Sequence, residues 1–231
     1  MQKRQHEKEG TPLDVFEAER FQMVEEQLIP RGIQDERVLT AMRRIPRHLF
    51  VEPDLQHRAY EDHALPIGSN QTISQPYIVA LMTEALCLRG SEKVLEIGSG
   101  SGYQTAVLAT LAAKVYSMEY IKGLISPARK VLDALSYHNV CLRHGDGTYG
   151  WEDAAPFDAV LVAAGGPEIP DALVDQLKIG GRMVMPVGTR FSQTLKRIEK
   201  KNAGIRETSL TSCVFVPLVG KMGWEAREAM G

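Results

Sequence analysis

The chain has 231 residues, enough for one domain of ordinary size plus an appendage, and its 44% apolar and 24% charged content is that of a globular protein with a substantial core. A net charge of −2 supplies no overall basic field for a nucleic-acid backbone, so no nucleic acid is expected as partner, and the longest uncharged apolar stretch, residues 159–164, is far too short to cross a bilayer. Cys87, Cys141 and Cys213 are widely spaced among apolar neighbours and read as small core residues in a reducing, cytoplasmic setting, not as a disulfide frame or a metal site.

Residues 1–12 are polar and charged, are expected to be loosely ordered, and lack the apolar stretch of a secretory signal. The pattern then predicts one domain over residues 13–220. It divides into a helical cap at 13–58, a loop and helix at 59–92 and an α/β core at 93–220, with a charged, frayed tail at 221–231 in which Trp224 has no evident role. In the cap, Val15, Phe16, Phe21, Met23, Val24 and Leu28 recur at three- and four-residue spacing, predicting a helix that Pro30 and Gly32 stop. A second helix starts at Gln34-Asp35 and runs through Met42. This part lies outside the α/β repeat and is expected to pack over one end of the sheet.

Residues 59–76 show little regular pattern but are rich in hydroxyl, amide and turn residues, unusual for a loop inside a domain unless it has a function. Ser74, before Gln75-Pro76, fits two roles: an N-cap for a helix over 77–86, or a site residue at a helix start that favours carboxylates.

Strands are predicted at 94–97, 115–118, 140–143, 159–163 and 182–187, with helices at 103–112, 121–135 and 170–177 and a tight turn at Gly180-Gly181. This alternation specifies a doubly wound, Rossmann-like α/β sheet, mostly parallel, with ligands at the carboxyl ends of its strands. Residues 194–200 then read as an exposed strand, 201–204 as a turn and 212–216 as a further strand, giving an antiparallel edge. Lys196, Arg197, Lys200 and Lys201 read as solvated charge that protects an edge strand from unwanted pairing.

The most informative stretch is Val94-Leu-Glu-Ile-Gly-Ser-Gly-Ser-Gly102, a short strand followed by glycines at alternate positions and then a helix start. Such a turn lets a ligand approach the backbone and presents free N–H groups. A dinucleotide fingerprint would place its third glycine where Tyr103 stands, which disfavours a nicotinamide oxidoreductase. The Glu-x-Gly-x-Gly-x-Gly run resembles motif I of the S-adenosyl-L-methionine-dependent methyltransferases, which implies that Glu96 faces the positive amino-acid end of the cofactor. Glu119, 21 positions after Gly98, stands where a doubly wound fold binds ribose hydroxyls. Asp146, between Gly145 and Gly147, can offer a carboxylate and an adjacent N–H to an adenine ring, or it can form an Asx turn.

Between Phe21 and Val219 the chain resembles the protein-L-isoaspartate O-methyltransferases. The most specific piece is Ala64-Leu-Pro-Ile-Gly-Ser-Asn-Gln-Thr-Ile-Ser-Gln-Pro76, supported by the glycine run, His144-Gly-Asp-Gly147, Pro156-Phe-Asp-Ala159, Met185-Pro-Val-Gly188 and Phe215-Val-Pro-Leu218. The resemblance implies a class I methyltransferase fold and methyl transfer from S-adenosyl-L-methionine, with S-adenosyl-L-homocysteine as product. The acceptor would be the α-carboxylate of L-isoaspartyl residues in damaged proteins or peptides, without metal, membrane or stable partner. It further implies Ser74 as the catalytic serine, orienting the carboxylate. The cofactor would be held by Glu96, Gly98, Ser99, Gly100, Glu119, Asp146 and Gly147, and the substrate by Thr72, Ile73, Ser74, Gln75 and Val216. The chain departs from the family at Val162-Ala-Ala-Gly-Gly166, where Val-Thr-Ala-Ala-Pro is common; a hydroxyl is lost and the loop is expected to gain freedom. Competing readings are a methyltransferase for another acceptor on the same fold and a cofactor-sensing protein without catalysis.

Overall fold

The apolar run at Val94 is the middle of a seven-stranded sheet. Strand β3 (Lys93–Ile97) lies parallel to both β4 (Lys114–Glu119) and β6 (Phe157–Val162), so both its edges are paired and both its faces are covered. Val94 packs in one buried cluster, while Leu95 and Ile97 pack in another on the opposite face. Outside these strands lie β5 (Val140–His144) and β7 (Leu177–Gly188), also parallel, and then β8 (Gln193–Lys201) and β9 (Gly204–Cys213), antiparallel to their neighbours, in the order β5-β4-β3-β6-β7-β8-β9. The chain leaves β3 toward one edge and returns on its other side as β6, so a crevice opens at the carboxyl ends beside β3. This computed structural model describes residues 16–225; the expectations for 1–12, for the first turn of the leading helix and for 226–231 fall outside them.

Helices α4 (Tyr103–Leu111) and α5 (Lys122–Ala134) cover the predicted spans to within a residue at each end. Helix α6 (Asp171–Asp175) is shorter than predicted because Leu177 is already in β7, paired with Phe157. Gly180-Gly181 falls inside β7, at the register shift between the Phe157–Leu177 and Ala159–Arg182 pairs, where Gly180 takes φ 82°.

In the N-terminal part, α1 (Glu17–Met23) continues through a π-turn at Val24–Leu28 and a 3-10 turn at Ile29–Arg31, closed by Gly32 at φ 92°. Asp35 caps α2 (Glu36–Arg44), its side chain accepting from Arg37 N at 3.0 Å. Glu84 of α3 (Pro76–Ala85) accepts the backbone amides of Gln34 and Asp35, both at 2.6 Å, which joins the two helices. Met23, Leu28, Met42 and Phe50 share one buried cluster with Val94, Val107 and Leu161. The cap therefore completes one face of the core through α3 and α4 and is not confined to an end of the sheet. The segment expected to be irregular contains a hairpin, β1 (Leu65–Pro66) with β2 (Thr72–Ile73), whose turn residues Ser69 and Asn70 both have positive φ.

Several expectations for the last third are corrected. The final strand begins at Gly204 and ends at Cys213, not at 212–216; its exposed face is polar, so alternation there is weak. Strand β8 is an inner strand, and β9 is the edge. The lysines of β8 have partners: Lys196 pairs with Glu207 at 2.7 Å, Lys201 with Glu199 at 2.5 Å, and Lys200 donates to the carbonyls of Val174 and Asp175 at the end of α6. Cys87 is exposed, at φ 52°, and Cys141 and Cys213 are half-buried, so the cysteines are not core residues. Trp224 is part of the fold. Its indole N–H donates to Gly165 O at 2.9 Å and its backbone pairs with Val219, so the chain is folded back as far as this residue.

The Asp35 cap is a local test of this architecture. Arg37 beside it holds the Asp35 carboxyl below the usual carboxylate range, so its stabilisation is present above that range and fades as pH falls through it. Asp35→Ala is expected to lower stability by about 1 kcal/mol at neutral pH, with a smaller difference below about pH 4, as read from urea midpoints.

Candidate active site

The site begins where β3 stops. Gly98, Gly100 and Gly102 all take positive φ (90°, 52° and 91°), a path closed to most side chains, and reverse the chain from β3 into α4. Met118 O accepts from Gly98 N at 2.8 Å and from Ser99 N at 3.3 Å, fastening the turn to β4. The Glu119 carboxylate then accepts Gly100 N through one oxygen and Ile121 N through the other, each at 2.8 Å, and Ser99 Oγ lies 3.5 Å away.

Above this turn is a cavity whose wall includes Gly98, Ser99, Gly100, Glu119 and Gly147. Glu119 is the one charged side chain on that wall among the described residues. A site with one carboxylate and no cation is poorly suited to a pyrophosphate and well suited to a ligand carrying positive charge. A Cβ on Gly147 would lie 2.4 Å from Ile97 Cγ2, so glycine is what lets the backbone pack closely on Ile97, beside it on the cavity wall.

Two of the expected cofactor residues are placed elsewhere. Glu96 does not line the cavity. Period-two alternation in β3 turns Ile97 toward it and Glu96 toward α4, where one carboxylate oxygen accepts from Thr105 and Ser117 hydroxyls and the other, Oε1, is buried without a partner. Burial pushes the Glu96 carboxyl up to about 7, against the Ser117 and Thr105 hydrogen bonds that favour the charged form, with the Glu119 charge adding to the rise. The Asp146 carboxylate is also off the wall. It accepts Thr148 N at 2.9 Å and Thr148 Oγ1 at 2.6 Å, the Asx-turn alternative, and Lys221 N at 2.8 Å from the end of the chain.

On the other side the β1–β2 hairpin delivers Thr72, Ile73 and Ser74. Gln75, not Ser74, occupies the N-cap position of α3, and no side chain caps the helix, so the Ser74 hydroxyl is left uncommitted by it. Thr72, Ser74, Ala163 and Val216 line both the cavity and a second groove that continues past Gln75 and Phe215, whereas Ile73 lines the cavity alone. At the groove's far end Arg31 lies over the Tyr77 ring at 3.5 Å and pairs with Asp62 at 2.8 Å. His63, also on the groove wall, is held by Arg58 and Glu61.

Sequence reasoning missed Ala163 and residues 217–219 as walls, because their contribution is backbone and apolar surface set by what packs behind them. It also expected residues 163–166 to be loose. Instead Gly165 N donates to Val216 O at 2.8 Å, Leu218 N to Gly165 O at 2.8 Å, and Gly166 N to Pro186 O at 3.1 Å. A proline at 166 could not make that last bond, and a Cβ there would lie 2.5 Å from Met185 Cε.

Residues 19–223 match the Protein-L-isoaspartate(D-aspartate) O-methyltransferase family. The chain belongs to this family. A protein-L-isoaspartate O-methyltransferase of Syntrophus aciditrophicus is 56% identical over 215 residues, covering 92% of this chain and 99% of that one. One from Syntrophobacter fumaroxidans is 57% identical over 210 residues, covering 91% and 98%. A solved protein-L-isoaspartate O-methyltransferase from Plasmodium falciparum, in complex with S-adenosyl-L-homocysteine, superposes with a TM-score of 0.75 at 28% identity, covering 87% of this chain and 98% of that one. The parallel sheet with an antiparallel edge is thus the methyltransferase fold of this family.

The buried Glu96 of this methyltransferase makes a stability signature. An acid raised in the folded state keeps its proton where the unfolded chain has lost it, so stability falls as pH rises from the ordinary glutamate range to about 7 and levels off beyond. Relative to Glu96→Gln, the wild type is expected to lose on the order of 2 kcal/mol between about pH 5 and pH 7. Denaturant titrations of both proteins at several pH values check this, and parallel curves would show that Glu96 does not titrate in that window.

Proposed function

We propose that this chain transfers the methyl group of S-adenosyl-L-methionine to the α-carboxylate of L-isoaspartyl residues in damaged proteins or peptides, and so starts their repair through a succinimide to L-aspartyl. One observation carries the reading: a cavity with a single carboxylate and an open groove share the walls Thr72, Ser74, Ala163 and Val216, so ligands in the two openings would meet beside the Ser74 hydroxyl.

The residues present fit this cofactor. It supplies, when bound, a methyl group already activated on a sulfonium. Glu119 offers the wall a negative charge, Gly98, Ser99 and Gly100 offer turn backbone, and Gly147 offers a backbone surface that no larger residue could present. We assign ribose recognition to Glu119 and the adenine edge to Gly147, with Asp146 acting through the turn it holds. Glu96 then acts from behind the turn, tying β3 to α4 and β4 through the Thr105 and Ser117 hydroxyls.

On the acceptor side the chemistry asks little of acid–base groups, because a carboxylate is ionised at neutral pH and no proton has to move. Ser74 and the backbone of residues 72–75 orient the carboxylate and Val216 limits water at the junction, which is the positioning work that such a transfer requires. Thr72, Gln75 and Val216 make up the rest of the proposed substrate contact in the groove, with Ile73 on the cavity side of the junction. An open groove suits a segment of polypeptide held through its main chain. The three free cysteines suit a reducing, cytoplasmic location.

The test uses paired peptides identical except for L-isoaspartate or normal aspartate, radiolabelled S-adenosyl-L-methionine and a count of base-labile methyl ester. Ester confined to the isoaspartyl peptide is expected. Ser74→Ala should lower kcat/KM by roughly 10–100-fold, the scale of one hydrogen bond to a charged group, and leave S-adenosyl-L-homocysteine affinity close to wild type. Equal ester on both peptides would replace this reading with a general carboxyl methyltransferase.

A further inference from the structure

The wall shared by cavity and groove is not part of the sheet. Strand β9 stops at Cys213, paired with Gln193, and residues 214–219 then cross the carboxyl ends of the strands as a strap. Along it, Phe215 lines only the groove, Val216 lines both openings, and residues 217–219 line only the cavity. Where the strap stands therefore decides the shape of both.

Its anchors differ on the two sides. On the cavity side Gly165 O accepts from Leu218 N at 2.8 Å and from the Trp224 indole at 2.9 Å, and Trp224 N donates to Leu218 O at 2.8 Å. On the groove side Phe215 N, two residues beyond the ladder, donates to the side-chain oxygen of Gln193 at 2.7 Å. Gln193 is 3% exposed, and its amide nitrogen donates to Thr189 O, so both ends of the side-chain amide are used and its orientation is set. A Cβ on Gly165 would lie 3.0 Å from Gln193 Cδ, a tight contact, so the glycine that departs from the family pattern leaves this side chain unpressed.

We propose that Gln193 is a positioning residue for the peptide substrate: by taking Phe215 N it ties the strap to the start of β8 and sets Val216 against the groove. The proposal rests on the reading that this groove receives the isoaspartyl segment. Gln193 touches neither opening itself and acts through Phe215 and Val216. Because residues 217–219 have their own anchors at Gly165 and Trp224, disturbing Gln193 changes the groove and leaves the cofactor wall in place.

The experiment compares wild type, Gln193→Met, Gly165→Ala and the double variant, measuring kcat and KM for the isoaspartyl peptide, S-adenosyl-L-homocysteine affinity and the melting temperature. Methionine keeps the length of glutamine without its hydrogen bonds, and Gly165→Ala presses on the same amide from the other side. Gln193→Met is expected to raise peptide KM about tenfold, with kcat and S-adenosyl-L-homocysteine affinity within about twofold of wild type. Gly165→Ala should move KM in the same direction, and the double variant should be no worse than the more impaired single one, since both act through one hydrogen bond. An unchanged KM in Gln193→Met, a parallel loss of cofactor affinity, or effects that add in the double variant would each overturn the proposal. If the wild type forms no ester on the isoaspartyl peptide, the substrate reading fails and the proposal falls with it; ester in the wild type with any of the three outcomes above removes the proposal alone.

Discussion

The site of this protein depends on one carboxylate that holds two segments at once. Glu119, the last residue of β4, takes Gly100 N with one oxygen and Ile121 N with the other, so the glycine turn after β3 and the start of α5 are fastened to the same group. Its burial would be costly if unpaired, and two amide donors offset that cost while fixing the side chain in one orientation. The charge is thereby held on the cavity wall without a counter-cation beside it.

Three acids stand at or near the carboxyl ends of adjacent strands, and the tertiary structure gives them three different duties. Glu119 ends its strand and reaches the wall. Glu96 lies one residue before the end of β3, on the opposite side of the pleat from Ile97, and is buried against α4 with two hydroxyl donors and one unpartnered oxygen. Asp146 follows β5 but is drawn into the turn at Thr148 and into the returning chain at Lys221. Their spacing in sequence is similar to that of cofactor-binding acids, yet alternation along a strand and competition from backbone amides decide which of them meets the cavity.

The end of the chain has a larger part than its composition indicates. Trp224 and Lys221 fasten the strap from beyond, Gln193 fastens it from β8, and the double glycine at 165–166 gives it room. What looks like a loosened loop when read as a departure from a pattern is a tightly bonded one, because glycine at 166 restores a donor that proline lacks and glycine at 165 accommodates a neighbouring amide. The groove and the cavity are thus built from a common element with separate anchors.

The sequence by itself determined the βα alternation, the glycine turn, Glu119, the family and the loop carrying Thr72 and Ser74, because these are local: hydrophobic period, turn chemistry and short motifs are written in consecutive residues. It left the β1–β2 hairpin unseen and misplaced the last strand, since a two-residue strand and a half-exposed edge strand carry little periodic signal. Only the tertiary structure decided that Glu96 and Asp146 stand off the cavity wall, that Trp224 closes on Gly165, and that Gln193 reaches Phe215. Glu96 is turned away by the alternation of a strand whose neighbours only the fold supplies, and the others rest on hydrogen bonds between groups distant in sequence, which packing in three dimensions brings together.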